Sequence, residues 1–541
     1  MTAKPSWLNA ELLFWLGACI IIFSGLGLRD PWPADEPRFA LIARDMVDSG
    51  QWLFPLRGGE LYPDKPPLFM WAIALCYLAV GNLKIAFLLP SALSALLTLA
   101  AMRWLLNHAG GHANAGALSL LAMTQFVVQA KTAQIDAMLA GLTTCSLCLL
   151  LYHLTIAPRW SFAYIAGIFA GLGVITKGVG FLPLLVLLPY FIFKKRNKAW
   201  VQHDFLDWRW LGVLFAFLGA IMLWLLPMVW AVEKANSAEL LAYRDNILFH
   251  QTANRYLDAW HHLKPWHYYL SHVIIWAWFP LIVALPFLAA AIKQHWRQLH
   301  GGVALLLFWS LLVLIFFSFS AGKRGVYLLP ITPALAMVFG LVYQYLPGQK
   351  FDLWAWRLLL ALSLIVALVC SVVRFRVVEM PSFDGEKIDI SLFLDALLVV
   401  CGIMLFLFLT MRDRLSGAIA VVIWVGGLWC ALGFFAFPAL NPLRTSAALM
   451  TEVESMLPPG HEFAMIDWKE QYSLFSSRPI IHFGYAQPLQ NQLQAAREWE
   501  RSSPRTRWLM VPEDHLNECE SHNAKYLGTR HRTSWRLVDR C

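Results

Sequence analysis

Long uninterrupted apolar runs dominate this sequence, and they leave little choice of fold. Stretches such as 84–106, 207–232, 302–320 and 391–411 carry almost no charge. Each reaches the roughly 20 residues an α-helix needs to cross a hydrocarbon core of roughly 30 Å. In such a core every backbone N–H and C=O must be satisfied within the protein, so the chain spans as helices or as a closed barrel. The short alternating segments of a barrel are missing. The sequence is 59% hydrophobic and only 14% charged, whereas a soluble domain carries roughly 25% charged residues. The expectation is a polytopic α-helical membrane protein.

Read along the chain, spans are expected at 10–28, 84–106, 115–130, 137–156, 162–178, 179–193, 207–232, 270–292, 302–320, 327–346, 355–373, 391–411 and 417–437. That is about thirteen transmembrane helices. The first apolar run has no small-residue cleavage site after it and reads as an uncleaved span. Leu68–Val80 is too short for a crossing and is expected as an interfacial or re-entrant helix. Residues 1–439 form the membrane domain, with a large first loop at 29–83. From about 440 the composition changes: short apolar runs at 463–466, 479–483, 508–511 and 534–538 surround a helical stretch at 488–501, the pattern of a small α/β domain.

The net charge of +9 does not point to nucleic acid, because the basic residues lie in short loops between spans, where they set topology and meet lipid headgroups. The densest cluster, Lys194-Lys195-Arg196-Asn197-Lys198, marks a cytoplasmic loop. Counting from it places the first loop and the tail outside. External loops then also hold Lys131, Arg255, Lys264, Lys323, Arg324, Arg374 and Arg376, against the usual bias. Cations kept outside in this way suit an anionic ligand. Most of the nine cysteines sit in apolar runs as packing residues, including the Cys145-x-x-Cys148 pair. Cys519 and Cys541 lie in the polar tail and could pair in an oxidising compartment.

The first loop concentrates the chemistry. Asp35-Glu36 follows the first span and is bracketed by Pro33 and Pro37. A carboxylate there can act as a general base or simply cap a helix. Asp64-Lys65-Pro66-Pro67 ends the loop; Lys65 can meet a phosphate as a point charge or snorkel from a helix end. Asp136 opens a span on the same side, as a functional acid or as a dipole partner. The loop 233–269 carries His250, Arg255, His261 and His262 among aromatics. Arg255 offers a fork suited to phosphate, and the plain alternative is an interfacial aromatic belt. Lys323 and Arg324 stand between Gly322 and Gly325, ahead of Tyr327. Together these place acids and cations on one external surface beside long apolar helices, as a lipid-phosphate substrate requires.

The acidic pair, the acid-Lys-Pro segment, the external Asp at a span start, the Lys-Arg-Gly-Val-Tyr-Leu-Leu-Pro loop and the soluble tail resemble the bacterial GT-C glycosyltransferases. The nearest likeness is to the family that transfers 4-amino-4-deoxy-L-arabinose from undecaprenyl phosphate to lipid A; protein O-mannosyltransferases are more distantly similar. The resemblance implies a GT-C-type fold and an enzyme of the bacterial inner membrane whose active site faces the periplasm. It would take a sugar from a polyprenyl (undecaprenyl) phosphate donor to lipid A or another envelope glycan or protein, as a monomer among membrane lipids and without nucleic acid. It implies Asp35 as catalytic carboxylate, with Glu36 and Asp136 in support. Lys65, Arg255, Lys323, Arg324 and Tyr327 would hold the donor phosphate, and Arg57 would steer the acceptor. Relatives can hold a divalent metal through an acid and a histidine, here Asp64 with His250 or His262. The family's acid at that place is usually Glu, so no cofactor is assigned. The competing reading is a transporter or flippase for lipid-linked sugars, which would show internal repeats; none is evident. A purely structural subunit would have no use for the acidic pair.

Overall fold

The computed structural model describes residues 6–198, 200–249, 263–299, 301–320, 322–375, 382–383, 386–502 and 507–539. Its first helices are α1 (Ser6–Phe23), α2 (Glu36–Ser49), α3 (Leu68–Val80), α4 (Leu83–Ala86), α5 (Leu89–His108), α6 (Ala113–Ala122), α7 (Thr124–Ala130), α8 (Ile135–Thr155) and α9 (Trp160–Val174). Among the described residues, 8 helical segments are long and apolar enough to cross a membrane, or 9 if one bent pair counts as a span.

Helix occupies all the expected span positions, but the count of full-length crossings is smaller. Four positions hold shorter apolar helices, Ala10–Phe23, Ala113–Ala122, Trp160–Val174 and Leu182–Phe193. The causes are local. The run at 115–130 breaks into α6 and α7 at Met123, whose backbone is extended. Around 174–190, Gly178, Gly180, Pro183 and Pro189 interrupt the ladder, because proline lacks the donor a helix interior needs. The span at 270–292 is cut near Pro280 into Tyr269–Ala277 and Leu281–His295, bent by 99°. Leu68–Val80 forms the short helix expected of it.

Helix packing in the bundle relies on small residues. Gly167 and Gly171 sit one turn apart on α9, facing helix Arg209–Ala235. A Cβ on Gly167 would lie 2.6 Å from the Val213 carbonyl oxygen. The two backbones therefore touch directly, the membrane solution to association between equally apolar surfaces. Cys145 and Cys148 are free and buried in α8, as packing residues should be. The Cys519 side chain and Cys541 lie outside what the structure describes.

Five tail strands form one mixed sheet: β5 (Glu462–Met465), β6 (Ile481–His482), β7 (Arg507–Pro512), β8 (Lys525–Arg530) and β9 (Thr533–Val538), in the order β6-β5-β7-β9-β8. β5 is parallel to β6 and β7, and the β7–β9 and β8–β9 pairs are antiparallel. Two small hairpins precede it, β1–β2 (Leu56–Arg57, Glu60–Leu61) and β3–β4 (Ser382–Phe383, Glu386–Lys387). Strand alternation gives the sheet two apolar faces. Ala464, Leu509 and Val511 pack with Ala496 of helix Leu489–Arg501 on one face. Phe463, Met465, Met510 and Leu537 face the other way, with Met450 and Val453 of helix Ala447–Met456.

That second face also buries Leu41 of α2, while Phe39, Ile42, Ala43 and Met46 of α2 pack on Phe69, Met70 and Ile73 of α3. So α2, the helix that follows the acidic pair, is held between the membrane domain and the tail sheet. It begins with Glu36 and Pro37 and stops at Gly50, whose φ of 70° closes the last turn through its N–H to the Met46 carbonyl. Glycine takes that left-handed turn without the steric cost other residues meet.

Candidate active site

The two carboxylates of Asp35-Glu36 have opposite fates. Glu36 is sealed in. Arg29 grips it with two parallel bonds, Nη1 to Oε2 at 2.5 Å and Nη2 to Oε1 at 2.7 Å. Glu36 also accepts the backbone N–H of Trp32 at 2.8 Å and of Ala133 at 3.0 Å. Arg29 Nη2 donates in turn to the Lys131 carbonyl at 2.9 Å. The pair thereby ties the start of α2 to the turn between α7 and α8. Lys131 is buried as well, its Nζ donating to Ser24 O at 2.7 Å and Ser24 Oγ at 2.6 Å. Both Glu36 and Lys131 are built into the scaffold, away from any open surface.

Asp35 points the other way, its side chain 22% exposed. Arg324 Nη2 donates to its Oδ2 at 3.2 Å, and Gln134 Nε2 reaches the same oxygen at 3.5 Å. Arg38, one turn along α2, stands 3.9 Å from Oδ1. Burial alone would lower the pKa of the Arg324 guanidinium, but the charges of Asp35 and then Asp136 raise it. Arg324 therefore stays a cation between two acids. A partly exposed pair of this kind contributes only about 0–1 kcal/mol to stability. Its worth is in fixing charges at a place solvent can reach.

Asp136 lies in the first turn of α8 and receives Lys177 Nζ at 2.6 Å. The same ammonium sits 4.3 Å from the Tyr327 ring centroid. Lys177 escaped sequence reading because it falls at the end of an expected apolar span. The available signal was a lone lysine between Thr176 and Gly178 at the edge of a membrane helix, where an ionisable residue is a functional candidate by default. Asp35, Arg324, Asp136, Lys177 and Tyr327 therefore converge from four separate parts of the chain. Tyr62 adds a buried hydroxyl near Arg38; burial, then the Asp64 charge, pushes its pKa up.

Other expected residues are placed differently. Lys65 Nζ donates to the Asp64 carbonyl at 3.0 Å. Lys323 turns its ammonium to backbone, 3.0 Å from Lys264 O and 2.5 Å from Ser320 O, and burial lowers its pKa. Of the adjacent pair Lys323-Arg324, it is Arg324 that meets the acids. Arg57 is bound to Glu470 in the tail, Nη2 to Oε2 at 2.6 Å. Arg255, His250 and His262 lie outside the described residues. Among the described residues no group of three or more His, Cys, Asp or Glu side chains is arranged to hold a metal.

Comparison with known proteins locates this architecture. The dolichyl-phosphate-mannose-protein mannosyltransferase family matches residues 12–238. A Pseudomonas paraeruginosa protein, the undecaprenyl phosphate-alpha-4-amino-4-deoxy-L-arabinose arabinosyl transferase, is 30% identical over 73% of this chain and 70% of its own length. The Pseudomonas fluorescens transferase 1 of the same description is 31% identical over 57% of this chain. The matched region spans 55% of the length of that P. fluorescens relative. The crystal structure of ArnT from Cupriavidus metallidurans bound to undecaprenyl phosphate superposes with a TM-score of 0.77, covering 98% of each chain at 19% identity. That likeness establishes the fold.

Proposed function

The chain belongs to the undecaprenyl phosphate-4-amino-4-deoxy-L-arabinose arabinosyl transferase family, and on that premise we propose that it is a glycosyltransferase using a sugar carried on undecaprenyl phosphate. The sugar is 4-amino-4-deoxy-L-arabinose or a close analogue, and the acceptor is lipid A or another envelope component. The reaction takes place on the periplasmic face of the bacterial inner membrane. The observation that carries the reading is the meeting of Asp35 with Arg324 beside the Asp136–Lys177 pair. It puts a reachable carboxylate next to cations at the ends of apolar helices.

The chemistry is one displacement. An acceptor oxygen attacks the anomeric carbon, the bond from that carbon to the phosphate oxygen breaks, and its electron pair leaves with undecaprenyl phosphate. Lys65 from the end of the first loop binds the donor phosphate, and Arg324 and Lys177 neutralise the charge growing on that phosphate as it leaves. A hydroxyl acceptor gives its proton to Asp35. A phosphate acceptor is already ionised, and Asp35 then positions it. No nucleotide is consumed, in keeping with a sequence that lacks a Gly-rich phosphate loop. Any metal would call on Asp64 and the histidines of the 233–269 loop, and no step here is routed through one. A carrier of lipid-linked sugars is disfavoured, because the relatives are named as transferases.

The direct test is transfer from synthetic undecaprenyl-phosphate aminoarabinose to lipid A by the purified chain, read by mass spectrometry. Modified lipid A supports the reading, and intact donor after full incubation overturns it. In the same assay Lys65→Ala is expected to raise the donor KM about tenfold, the worth of one charged hydrogen bond of roughly 1.5 kcal/mol, with kcat less affected.

Lys177→Met separates structure from chemistry. It removes the direct partner of the Asp136 carboxylate, whose side chain is 7% exposed, leaving only the more distant Arg324 charge, and is expected to cost about 3 kcal/mol of stability. Lys177→Met combined with Asp136→Asn removes the stranded charge. It should regain most of the thermal stability in detergent while transfer stays low. Recovery of transfer along with stability would reduce Lys177 to a scaffold residue.

A further inference from the structure

A chain of charges runs from the tail to the partly exposed carboxylate of Asp35. Glu470, the first residue of helix Glu470–Phe475, is 2% exposed. Its Oε1 accepts Arg38 Nε at 2.8 Å, and its Oε2 accepts Arg57 Nη2 at 2.6 Å and Nε at 3.1 Å. Arg38 is thus shared between two acids. Glu470 of the tail holds it at hydrogen-bond distance, while Asp35, its i−3 neighbour on α2, lies at 3.9 Å. On a helix such neighbours fall within reach of each other. The Tyr62 hydroxyl and the buried Glu470 carboxylate both bond Arg38, and Asp35 is its more distant partner.

The contact that delivers Glu470 is specific. The tip of the β1–β2 hairpin lies flat on the tail: Gly58 O is 2.6 Å from His482 Nε2, and Tyr485 Oη donates to Leu61 O at 3.0 Å. Gly58 has φ of 62°, and a Cβ there would stand 2.7 Å from both His482 Nε2 and Trp468 Cη2. Arg57 lies 4.3 Å from the Tyr485 ring centroid. The first loop is therefore keyed into the tail by its backbone, right beside the Arg57–Glu470 pair.

We propose that Glu470 is a positioning residue for Asp35, acting through Arg38, so that the tail contributes to the reaction centre. With Glu470 in place, Arg38 is drawn toward the tail and Asp35 stays turned to Arg324. Without it, Arg38 swings onto Asp35 and occupies the carboxylate. The inference rests on Asp35 having the role given under the proposed function.

The test compares the purified full chain with Glu470→Gln, Arg38→Gln, the Glu470→Gln/Arg38→Gln double variant and Arg44→Gln. Arg44 bridges α2 to the tail independently, donating to Ser473 O at 3.3 Å and Leu474 O at 3.4 Å. Glu470→Gln is expected to lower kcat by on the order of 10–100-fold with donor KM little changed, the scale of a small misplacement of a reacting group. The double variant should turn over faster than Glu470→Gln alone, because the intruding guanidinium is gone; a purely structural role predicts the reverse. Arg44→Gln should loosen the same interface and keep its turnover. Labelling of Asp35 by a water-soluble carbodiimide, read by peptide mass spectrometry, should slow in Glu470→Gln and recover in the double variant. Wild-type turnover and labelling in Glu470→Gln, or a double variant slower than the single, would overturn the inference. Labelling does not need transfer, so an inactive parent chain would count against the proposed function while this experiment still decides the role of Glu470.

Discussion

Asp35→Asn is expected to fold like the parent and to lose sugar transfer by about 10²–10⁴-fold, the range for removing a positioned acid or base. The substitution keeps the side chain's shape and leaves Gln134 and Arg324 an amide oxygen to bond. What disappears is the negative charge facing Arg324. The side chain is only partly buried and its pair contributes little to stability, so thermal unfolding in detergent should move by no more than a degree or two, about 0–1 kcal/mol. The decisive measurement is single-turnover transfer at saturating donor. Transfer at the parent rate would remove Asp35 from the reaction. An equal loss of folding and transfer would make it one more scaffold acid.

Glu36, its immediate neighbour, should behave in the opposite way. Glu36→Ala leaves Arg29, 2% exposed, as a buried unpaired cation. It also strips an acceptor from the N–H groups of Trp32 and Ala133. Breaking a buried ion pair costs about 3–5 kcal/mol, and each stranded buried donor adds about 1 kcal/mol or more. The expected result is a large fall in unfolding temperature and poor recovery of folded protein. Replacing both partners with apolar residues, Arg29→Met with Glu36→Leu, should recover much of the stability, since it removes the desolvated charge instead of isolating it. If Glu36→Ala were as stable as the parent but inactive, Glu36 would belong with the reacting groups.

The contrast within one dipeptide marks where sequence reading stops. Asp35 and Glu36 carry the same charge, stand between the same prolines and follow the same span. Their separation comes from Arg29, seven residues back, and from Arg324, far along the chain. Likewise Lys323 and Arg324 look interchangeable in sequence. Two backbone carbonyls claim the first, and the second faces Asp35. Lys177 was concealed by the apolar run it ends, although its neighbour in space, Asp136, was evident as an acid opening a helix. In the tail, four of the five strands fall where short apolar runs marked them. The fifth, Lys525–Arg530, has only Leu527 buried among the hydrophobic residues. An edge strand with so little core to fill leaves almost no pattern to detect.

The sequence by itself determined the solvent this protein lives in and the secondary structure it must adopt there. Apolar length and charge scarcity are properties of contiguous residues; the cost of an unsatisfied backbone in lipid leaves helices or a closed barrel, and runs of this length select helices. It also marked Asp35, Asp136 and Arg324 as residues to watch. Only the tertiary structure decided which charge meets which, because an ion pair is governed by separations of a few ångströms between groups hundreds of residues apart. It brought Arg324 to Asp35, Lys177 to Asp136 and Glu470 to Arg38. It thereby distinguished a carboxylate that solvent can reach from one sealed into the scaffold.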